Sequence, residues 1–399
     1  MAFSFGFSGD DIERDPNDVG DSTHQVDFEG GDDAAPSLVP ARVWGWDELL
    51  STLPSKISYS TITLTTPRGH TARLPRRELF DVRLQLMAED DNTSAAPLLG
   101  LSESDLAPNV YEGGFKTWEC SLDLARWFLE RVEGREEEEN KEENEQTIDP
   151  TRASHIIEIG CGSALPSLVL FQHALHHHRP CHFTLTDYNA DVLRLVTLPN
   201  LLLSWLATLD EPQSKAILGE EEVNPLISRL EMDTTTMQAN TSRHQDEDAD
   251  AGDVYLTPNL LSAFHLYLSH AAISLTFISG SWLPTTTFLS LIPSPSPYHN
   301  THPHPPSPQT LILASETIYS PPSLRAFAQT ITALMRRARP TKTVVAAKKV
   351  YFGVGGSVDE FREVVVGLGG VVRDVGGGVD GGGEGVRRWI GEVWVREGE

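Results

Sequence analysis

The stretch His155-Ile-Ile-Glu-Ile-Gly-Cys-Gly-Ser-Ala-Leu165 constrains the fold of this chain more than any other. Ile156, Ile157 and Ile159 are β-branched and apolar, which suits a strand buried on both faces, as in a parallel sheet. Gly160 and Gly162 then let the backbone turn sharply and come close to a ligand. Pro166 suits an early position in the helix that follows. A buried strand, a glycine turn and a helix are also what any tight strand-to-helix connection looks like. The choice of ligand therefore rests on the residues around the turn.

Two ligands compete for it. The dinucleotide fingerprint G-x-G-x-x-G would cradle a pyrophosphate, but Leu165 stands where its third glycine belongs. The E/D-x-G-x-G-x-G/A pattern of enzymes that bind S-adenosylmethionine is met by Glu158, Gly160, Gly162 and Ala164. A carboxylate at position 158 repels a pyrophosphate and can help hold the ammonium of a methionine moiety.

The chain has 399 residues, and its 57 acidic against 31 basic side chains give a formal charge of -26. Much of that charge lies in Gly30–Asp33, Glu136–Glu145 and Asp246–Asp253, which read as solvated linkers on a surface that attracts basic partners. Indiscriminate nucleic-acid binding is disfavoured, and no direct nucleic-acid specificity is expected. Cys120, Cys161 and Cys181 have no paired spacing, so neither a disulfide scaffold nor a structural zinc site is expected, and a reducing compartment fits. No basic-then-apolar leader and no apolar run of about 18 residues occur, which argues against secretion and membrane spanning. The cytoplasm is the expected compartment, with the nucleus left open. The histidine runs 176–178 and 299–304 lack ligand spacing and read as loops, so no metal site is expected.

Taken in order, residues 1–40 read as a disordered acidic tail and 41–104 as a small N-terminal flap region with a short helix near Trp46 and extended structure from Ile57 to Leu64. The main domain spans 105–399, with insertions at about 133–150, 210–253 and 290–308. Within it Gly113-Gly114 opens an amphipathic helix. Strands are expected at 155–159, 182–186, 273–278, 311–314 and 343–347, alternating with helices, and 371–375 with 389–395 as a closing antiparallel hairpin. The expected class is α/β, Rossmann-like, with a mostly parallel sheet. In such sheets ligands bind at the carboxyl ends of the strands. There Asp187 can accept from both ribose hydroxyls, and Trp282 serves either as an adenine platform or as a core plug.

Trp118-Glu-Cys120, Glu158-Ile-Gly-Cys-Gly162, Asp187-Tyr-Asn189, Thr197-Leu-Pro-Asn200, Ser279-Gly-Ser-Trp282, Ser315-Glu-Thr-Ile-Tyr319 and Lys349-Val-Tyr-Phe-Gly-Val-Gly-Gly356 together resemble one family. It is the seven-strand protein-histidine methyltransferases that modify a histidine of a large-subunit ribosomal protein, protein three of that subunit. The resemblance runs from about Gly113 to Gly356, and the opening Phe3-Ser-Phe-Gly-Phe7 is similar to the family's N-terminus. It implies a seven-stranded methyltransferase fold, S-adenosyl-L-methionine as cofactor and a basic ribosomal protein as partner. It further implies cofactor contacts at Trp118, Glu119, Cys120, Gly160, Asp187, Tyr188, Asn189, Gly280 and Ser315. Glu158, Gly162, Ser281 and Trp282 complete the expected cofactor set. Ser281 departs from the pattern, since relatives often carry an acid there, and the insertions at 210–253 and 290–308 are peculiar to this chain.

Methyl transfer from a sulfonium to an imidazole nitrogen is an in-line displacement, in which an enzyme supplies alignment and exclusion of water. Neutral imidazole, with a pKa of about 6.5, is already a nucleophile, so the tautomer is the control point. Glu316 is the expected catalytic residue, accepting the ring's other N–H; the competing role is a cap on the next helix. Tyr319, Tyr351 and Phe352 are the expected walls around the target ring. A protein-lysine methyltransferase of the same fold remains a rival, because Glu316-x-x-Tyr319 resembles that neighbouring group's acid-x-x-Tyr motif. A noncatalytic escort of a basic ribosomal protein is the rival from another class.

Overall fold

A computed structural model of the chain describes residues 38–89, 113–134, 149–219, 223–227, 251–294, 309–338, 340–376 and 386–396. The acidic tail expected up to residue 40, apart from its last three residues, lies outside them, as do most of the insertion at 133–150 and residues 295–308.

In chain order the elements are β1 (Arg42–Trp44), α1 (Trp46–Ser51), β2 (Lys56–Thr65), β3 (Thr71–Arg77), α2 (Leu79–Glu89), α3 (Glu119–Glu133), β4 (Ala153–Ile159), α4 (Leu165–His176) and β5 (Cys181–Asp187). A helical run, α5, joins Ala190–Val192 through a π-turn at Leu193–Thr197 to Leu198–Leu206. Then come α6 (Glu211–Leu218), β6 (Ala251–Tyr255), α7 (Pro258–His270), β7 (Ile273–Ser279), α8 (Thr285–Leu291) and β8 (Gln309–Ser315). The chain ends with α9 (Pro321–Arg337), β9 (Thr341–Lys348), α10 (Val358–Gly367), β10 (Gly370–Asp374) and β11 (Arg388–Val395).

The main sheet has eight strands in the order β1-β7-β5-β4-β8-β9-β11-β10. β7, β5, β4, β8 and β9 are parallel neighbours, while β11 pairs antiparallel with both β9 and β10. Parallel strands buried on both faces need apolar residues at every position, and β4 shows how they are shared. Ile156 joins one core cluster with α3, α4, α5 and α7, while Ile157 and Ile159 join the other with α8, α9 and α10.

Two findings bear on the expected organisation. The sheet has an eighth strand, because residues 42–44, expected in a small flap packed on the main domain, pair antiparallel with β7 along its open edge. From Leu38 onward the chain is one compact unit. The region expected as an insertion at 210–253 also holds ordered elements at both ends. At its start, Asp210 and Gln213 form a capping box for α6. At its end, β6 adds to the β2–β3 hairpin as a second, three-stranded sheet. Asp253 fixes that register by accepting hydrogen bonds from Ser58 and Lys56 at 2.6 and 3.0 Å. Among the described residues no helix is long and apolar enough to cross a membrane.

Candidate functional site

The carboxyl ends of β4, β5, β7, β8 and β9 meet the N-terminus of α3 along one edge, where the sheet's connections diverge to either side of β4 and β8. Gly160 and Gly162 make the turn after β4 with φ of +67° and +51°, a region that penalises any side chain. Space excludes side chains as well. A Cβ on Gly162 would lie 3.2 Å from Gly114 O, and one on Gly114 would lie 2.9 Å from Val192 Cγ2. The two glycine loops thus press on each other.

Asp187, at the tip of β5, holds both loops in place. Its Oδ2 accepts from Gly162 N–H and its Oδ1 from Asn189 N–H, each at 3.0 Å, while Asn189 Nδ2 donates to Gly113 O at 2.7 Å. Asn189 Nδ2 also lies 3.4 Å from Asp187 Oδ1. The Thr197-Leu-Pro-Asn200 motif, to which sequence reasoning gave no role, pins the same turn from below. Thr197 Oγ1 donates to Gly162 O at 2.7 Å and Asn200 Nδ2 to Ser163 O at 3.0 Å.

Glu158 is fully buried, and its Oε2 accepts from Ser167 N–H at 3.1 Å in the first turn of α4. Burial pushes its carboxyl up to about 8. Its Oε1 is buried without a hydrogen-bond partner among the described residues. The side chain thus braces the turn with one oxygen and keeps the other free.

At the tip of β7, Gly280 is required by the chain's own N-terminal strap rather than by an approaching ligand. With φ of +102°, its Cβ would overlap Pro40 O and Ala41 Cα. Ser281 N–H donates to Val39 O at 2.9 Å, and Val39 N–H reaches Tyr188 Oη at 3.5 Å. Gly280, Ser281 and Tyr188 therefore meet the strap. Trp282 is half-buried; it packs 5.9 Å from Phe327 in the second core cluster, and its Cζ2 would lie 3.7 Å from a Cβ on Gly160.

Beyond β4 the character of the edge changes. Ser315 ends β8, and Glu316 follows with φ of +57°, a left-handed conformation that L residues adopt at a cost. Glu316 does not cap α9, since Ser320 does so by accepting from Ser323 N–H. Instead, Glu316 Oε2 accepts from Tyr351 Oη–H at 2.5 Å, and Tyr351 Oη accepts from Lys348 N–H at 3.2 Å. Burial, then the charge of Glu316, raises the Tyr351 phenol well above its ordinary value. The Cys120 thiol, at the start of α3, is raised by burial and then by the charge of Glu316. Glu316 Oε1 is buried with no hydrogen-bond partner among the described residues and lies 4.0 Å from Lys348 Nζ.

Lys348 was not expected at this site. Its Nζ lies 3.3 Å from Glu119 Oε2 and 5.0 Å from the ring centroid of Trp118. Strand parity is the signal that finds it. Val344 and Ala346 on β9 join the cluster containing α3, whereas Val345 and Ala347 join the other, so Lys348 shares the α3 side and Lys349 does not. The loop after β9 closes on the loop after β8: Gly356 N–H donates to Tyr319 O and Tyr351 N–H to Gly356 O, both at 2.9 Å. Tyr319 packs against the second core cluster, and Phe352 is 81% exposed on the loop's outer side.

The two halves of the edge touch, because a Cβ on Gly160 would lie 3.0 Å from Thr317 Cγ2, next to Glu316. The residues fit a methionine-and-nucleoside cofactor in one respect: Glu158 Oε1 is a buried polar atom without a hydrogen-bond partner among the described residues, beside the glycine turn. Two cavities lie away from this edge. One of about 380 Å³ is formed by β2, β3 and the ends of α3 and α4, and one of about 540 Å³ lies beside Phe352, α10 and β11.

No family model matches the chain. Histidine protein methyltransferase 1 of Schizosaccharomyces pombe is 34% identical over 363 residues, covering 90% of this chain and 84% of that protein. The Saccharomyces cerevisiae protein of the same name is 34% identical over 383 residues, covering 91% and 90%. A Bos taurus homolog is 27% identical over 66% of this chain and 51% of its own length. Among solved structures, the glycopeptide N-methyltransferase MtfA complexed with S-adenosyl-L-methionine covers 76% of this chain and 98% of its own at 9% identity and a TM-score of 0.31, an overlay too loose to bear on the site. At 34% identity over about nine-tenths of the chain, the yeast relatives show that this chain belongs to the histidine protein methyltransferase 1 family.

Proposed function

We propose that this chain methylates a histidine side chain of a basic large-subunit ribosomal protein, protein three of that subunit, using S-adenosyl-L-methionine. The observation that carries the chemistry is Glu316: one oxygen is held by Tyr351, and the other is buried without a hydrogen-bond partner among the described residues at the tip of β8. S-adenosyl-L-methionine supplies the methyl group as a sulfonium, the C–S pair leaving with sulfur as the ring nitrogen's lone pair forms the new N–C bond. The chain's residues do the rest. The loops at Gly114, Gly160 and Gly162 admit the cofactor, with Asp187 and Glu158 as its polar anchors. Glu316 Oε1 accepts the N–H of the imidazole, which leaves the other nitrogen unprotonated and offsets the charge that develops on the ring. The proton passes to Glu316 and then to water, leaving neutral methylhistidine. Tyr351 and Tyr319 wall the ring, and Phe352, exposed on the outer side of the same loop, is left for the polypeptide around it.

The lysine reading would use Glu316 with Tyr319 as an acid-x-x-Tyr pair. The 34% identity to two histidine protein methyltransferases favours histidine, and Glu316 is hydrogen-bonded by Tyr351. The net charge of -26 suits a basic protein partner, in the cytoplasm with the nucleus left open.

The test is labelling of purified large-subunit proteins with the chain and labelled cofactor, followed by amino-acid analysis. Methylhistidine in one protein, abolished by Gly160→Arg, is the expected outcome. Methyllysine would transfer the chain to the rival group, and cofactor binding without labelling would favour an escort.

A further inference from the structure

The carboxylates of Glu119 and Glu316 come from two separate elements, the N-terminus of α3 and the tip of β8. Lys348, the last residue of β9, reaches both, at 3.3 and 4.0 Å, and its ammonium lies over the Trp118 ring. Its own backbone N–H also donates to the Tyr351 hydroxyl that holds Glu316. One residue thus reaches Glu119, Glu316, Trp118 and Tyr351 around the acceptor oxygen, and no role assigned above uses it.

We propose that Lys348 is a positioning residue that fixes Glu316 and sets the net charge of the site to match one methylated imidazolium. Glu119, Glu316 and Lys348 together carry one negative charge. The transferred methyl group leaves the target ring with one positive charge, so the cluster is the complement of the product cation. Without Lys348 two carboxylates stand close together and repel each other, and the side chain of Glu316 loses the contact opposite Tyr351. Without Glu119 the ammonium is free to close on Oε1 and occupy the acceptor that the substrate N–H needs. The cluster is half open to water, since the Glu119 side chain is 56% exposed, so salt screens its outer member and the effects are moderate.

This inference rests on the assignment of Glu316 as the acceptor, and the experiment separates the two. Lys348→Met is expected to lower kcat about tenfold, with KM for the protein substrate changed less than about threefold. Lys348→Arg, which keeps the charge, is expected to recover most of the loss. Glu119→Gln alone is also expected to lower kcat, but the double variant Glu119→Gln/Lys348→Met returns the net charge to minus one and is expected to exceed Lys348→Met. A structural role would instead make the two losses multiply. Binding of S-adenosylhomocysteine by calorimetry is expected to stay within about twofold in Lys348→Met and Lys348→Arg. Trp118 emission, read as the difference from Trp118→Phe, is expected to shift in Lys348→Met and not in Lys348→Arg. Normal kcat in Lys348→Met, or multiplied losses in the double variant, overturns the proposal while an inactive Glu316→Gln leaves the acceptor assignment standing. Full activity in Glu316→Gln overturns both.

Discussion

The two halves of the carboxyl edge are built by different means. From β4 toward β7 nearly every contact involves backbone: Asp187 binds amide N–H groups, Thr197 and Asn200 bind carbonyls, and the glycines are packed against main-chain atoms or buried side chains. From β8 toward β9 backbone bonds close the two loops on each other, but the groups around Glu316 meet through side chains, Glu316 to Tyr351 and Lys348 to Glu119 and Glu316, and Glu316 keeps a buried oxygen without a hydrogen-bond partner among the described residues. A half made of backbone contacts suits a cofactor that is the same in every turnover. A half made of side chains suits the group that distinguishes one methyl acceptor from another.

Glu316→Gln should separate the halves most sharply. An amide still accepts a hydrogen bond through its oxygen but cannot take up the proton, so kcat is expected to fall roughly 10²-fold or more. Affinity for S-adenosylhomocysteine, measured by calorimetry, is expected to change less than about twofold. Loss of cofactor affinity instead would mean that Glu316 belongs to the cofactor half, and the division would collapse.

The same contrast explains what the sequence made legible. Glycines forced by φ and by close backbone approach leave a mark at fixed spacing, so the turn at 160–162, the parallel sheet and the strand tips are readable from residues alone. The Tyr351–Glu316 bond joins residues 35 positions apart through the registry of β8 and β9, and no local pattern encodes it. Lys348 was hidden because choosing between adjacent lysines requires knowing which face of β9 meets α3. β1 was read as part of a flap because a three-residue strand carries too little periodicity to show that it pairs with β7. Gly280 illustrates a partial reading. The resemblance implied a cofactor contact there, and the structure adds the strap at Pro40–Ala41 as a reason why the position must be a glycine.

A pair of glycine substitutions probes the halves more gently. Gly280→Ala forces its methyl into Pro40 O and Ala41, and the left-handed φ adds strain, for a cost of about 1–3 kcal/mol. Thermal unfolding should register that loss, with cofactor affinity weakened about tenfold as the strap shifts beside Tyr188. Gly356→Ala collides with Ile318 O and Tyr319, so it should disturb the loop that carries Tyr351. Its expected signature is lower kcat with cofactor affinity retained. If both variants shift the same parameter, the edge acts as one unit.

Within β4 itself, pH offers a finer test, because Glu158 and His155 respond in opposite directions. Burial holds Glu158 protonated up to about 8, against 4.5 for an ordinary carboxyl, so the folded protein keeps a proton that the unfolded chain gives up. Its contribution is present below about 4.5 and is lost as pH rises toward 8, with a slope approaching ~1.4 kcal/mol per pH unit at most. Burial holds His155 neutral down to about 3, against 6.5, and its Nε2 is hydrogen-bonded to Thr184 Oγ1 at 2.8 Å. Stability from His155 is present above 6.5 and is lost as pH falls toward 3. The two slopes oppose each other between 4.5 and 6.5, and above 6.5 only that of Glu158 persists. Denaturant titrations of Glu158→Gln should therefore show a stability curve flatter than wild type between pH 6.5 and 8. An unchanged slope there would mean that Glu158 is ionised in the folded state.

Phe352→Ala should have the smallest effect and tests the outer limit of the acceptor half. The ring is 81% exposed beside the half-exposed Val350 and Val354, so removing it from the free protein should change stability by less than about 0.5 kcal/mol. If the ring covers part of the bound polypeptide, its loss raises KM for the protein substrate about threefold, the value of partial burial of one aromatic face. KM for the cofactor and kcat should stay near wild type, because Tyr351 on the same loop points inward to Glu316 while Phe352 points out. Steady-state kinetics with an intact protein substrate and with a short histidine peptide would locate the contact. A change confined to the intact protein places Phe352 against residues distant from the target, and an equal change in both places it against the target's own neighbours.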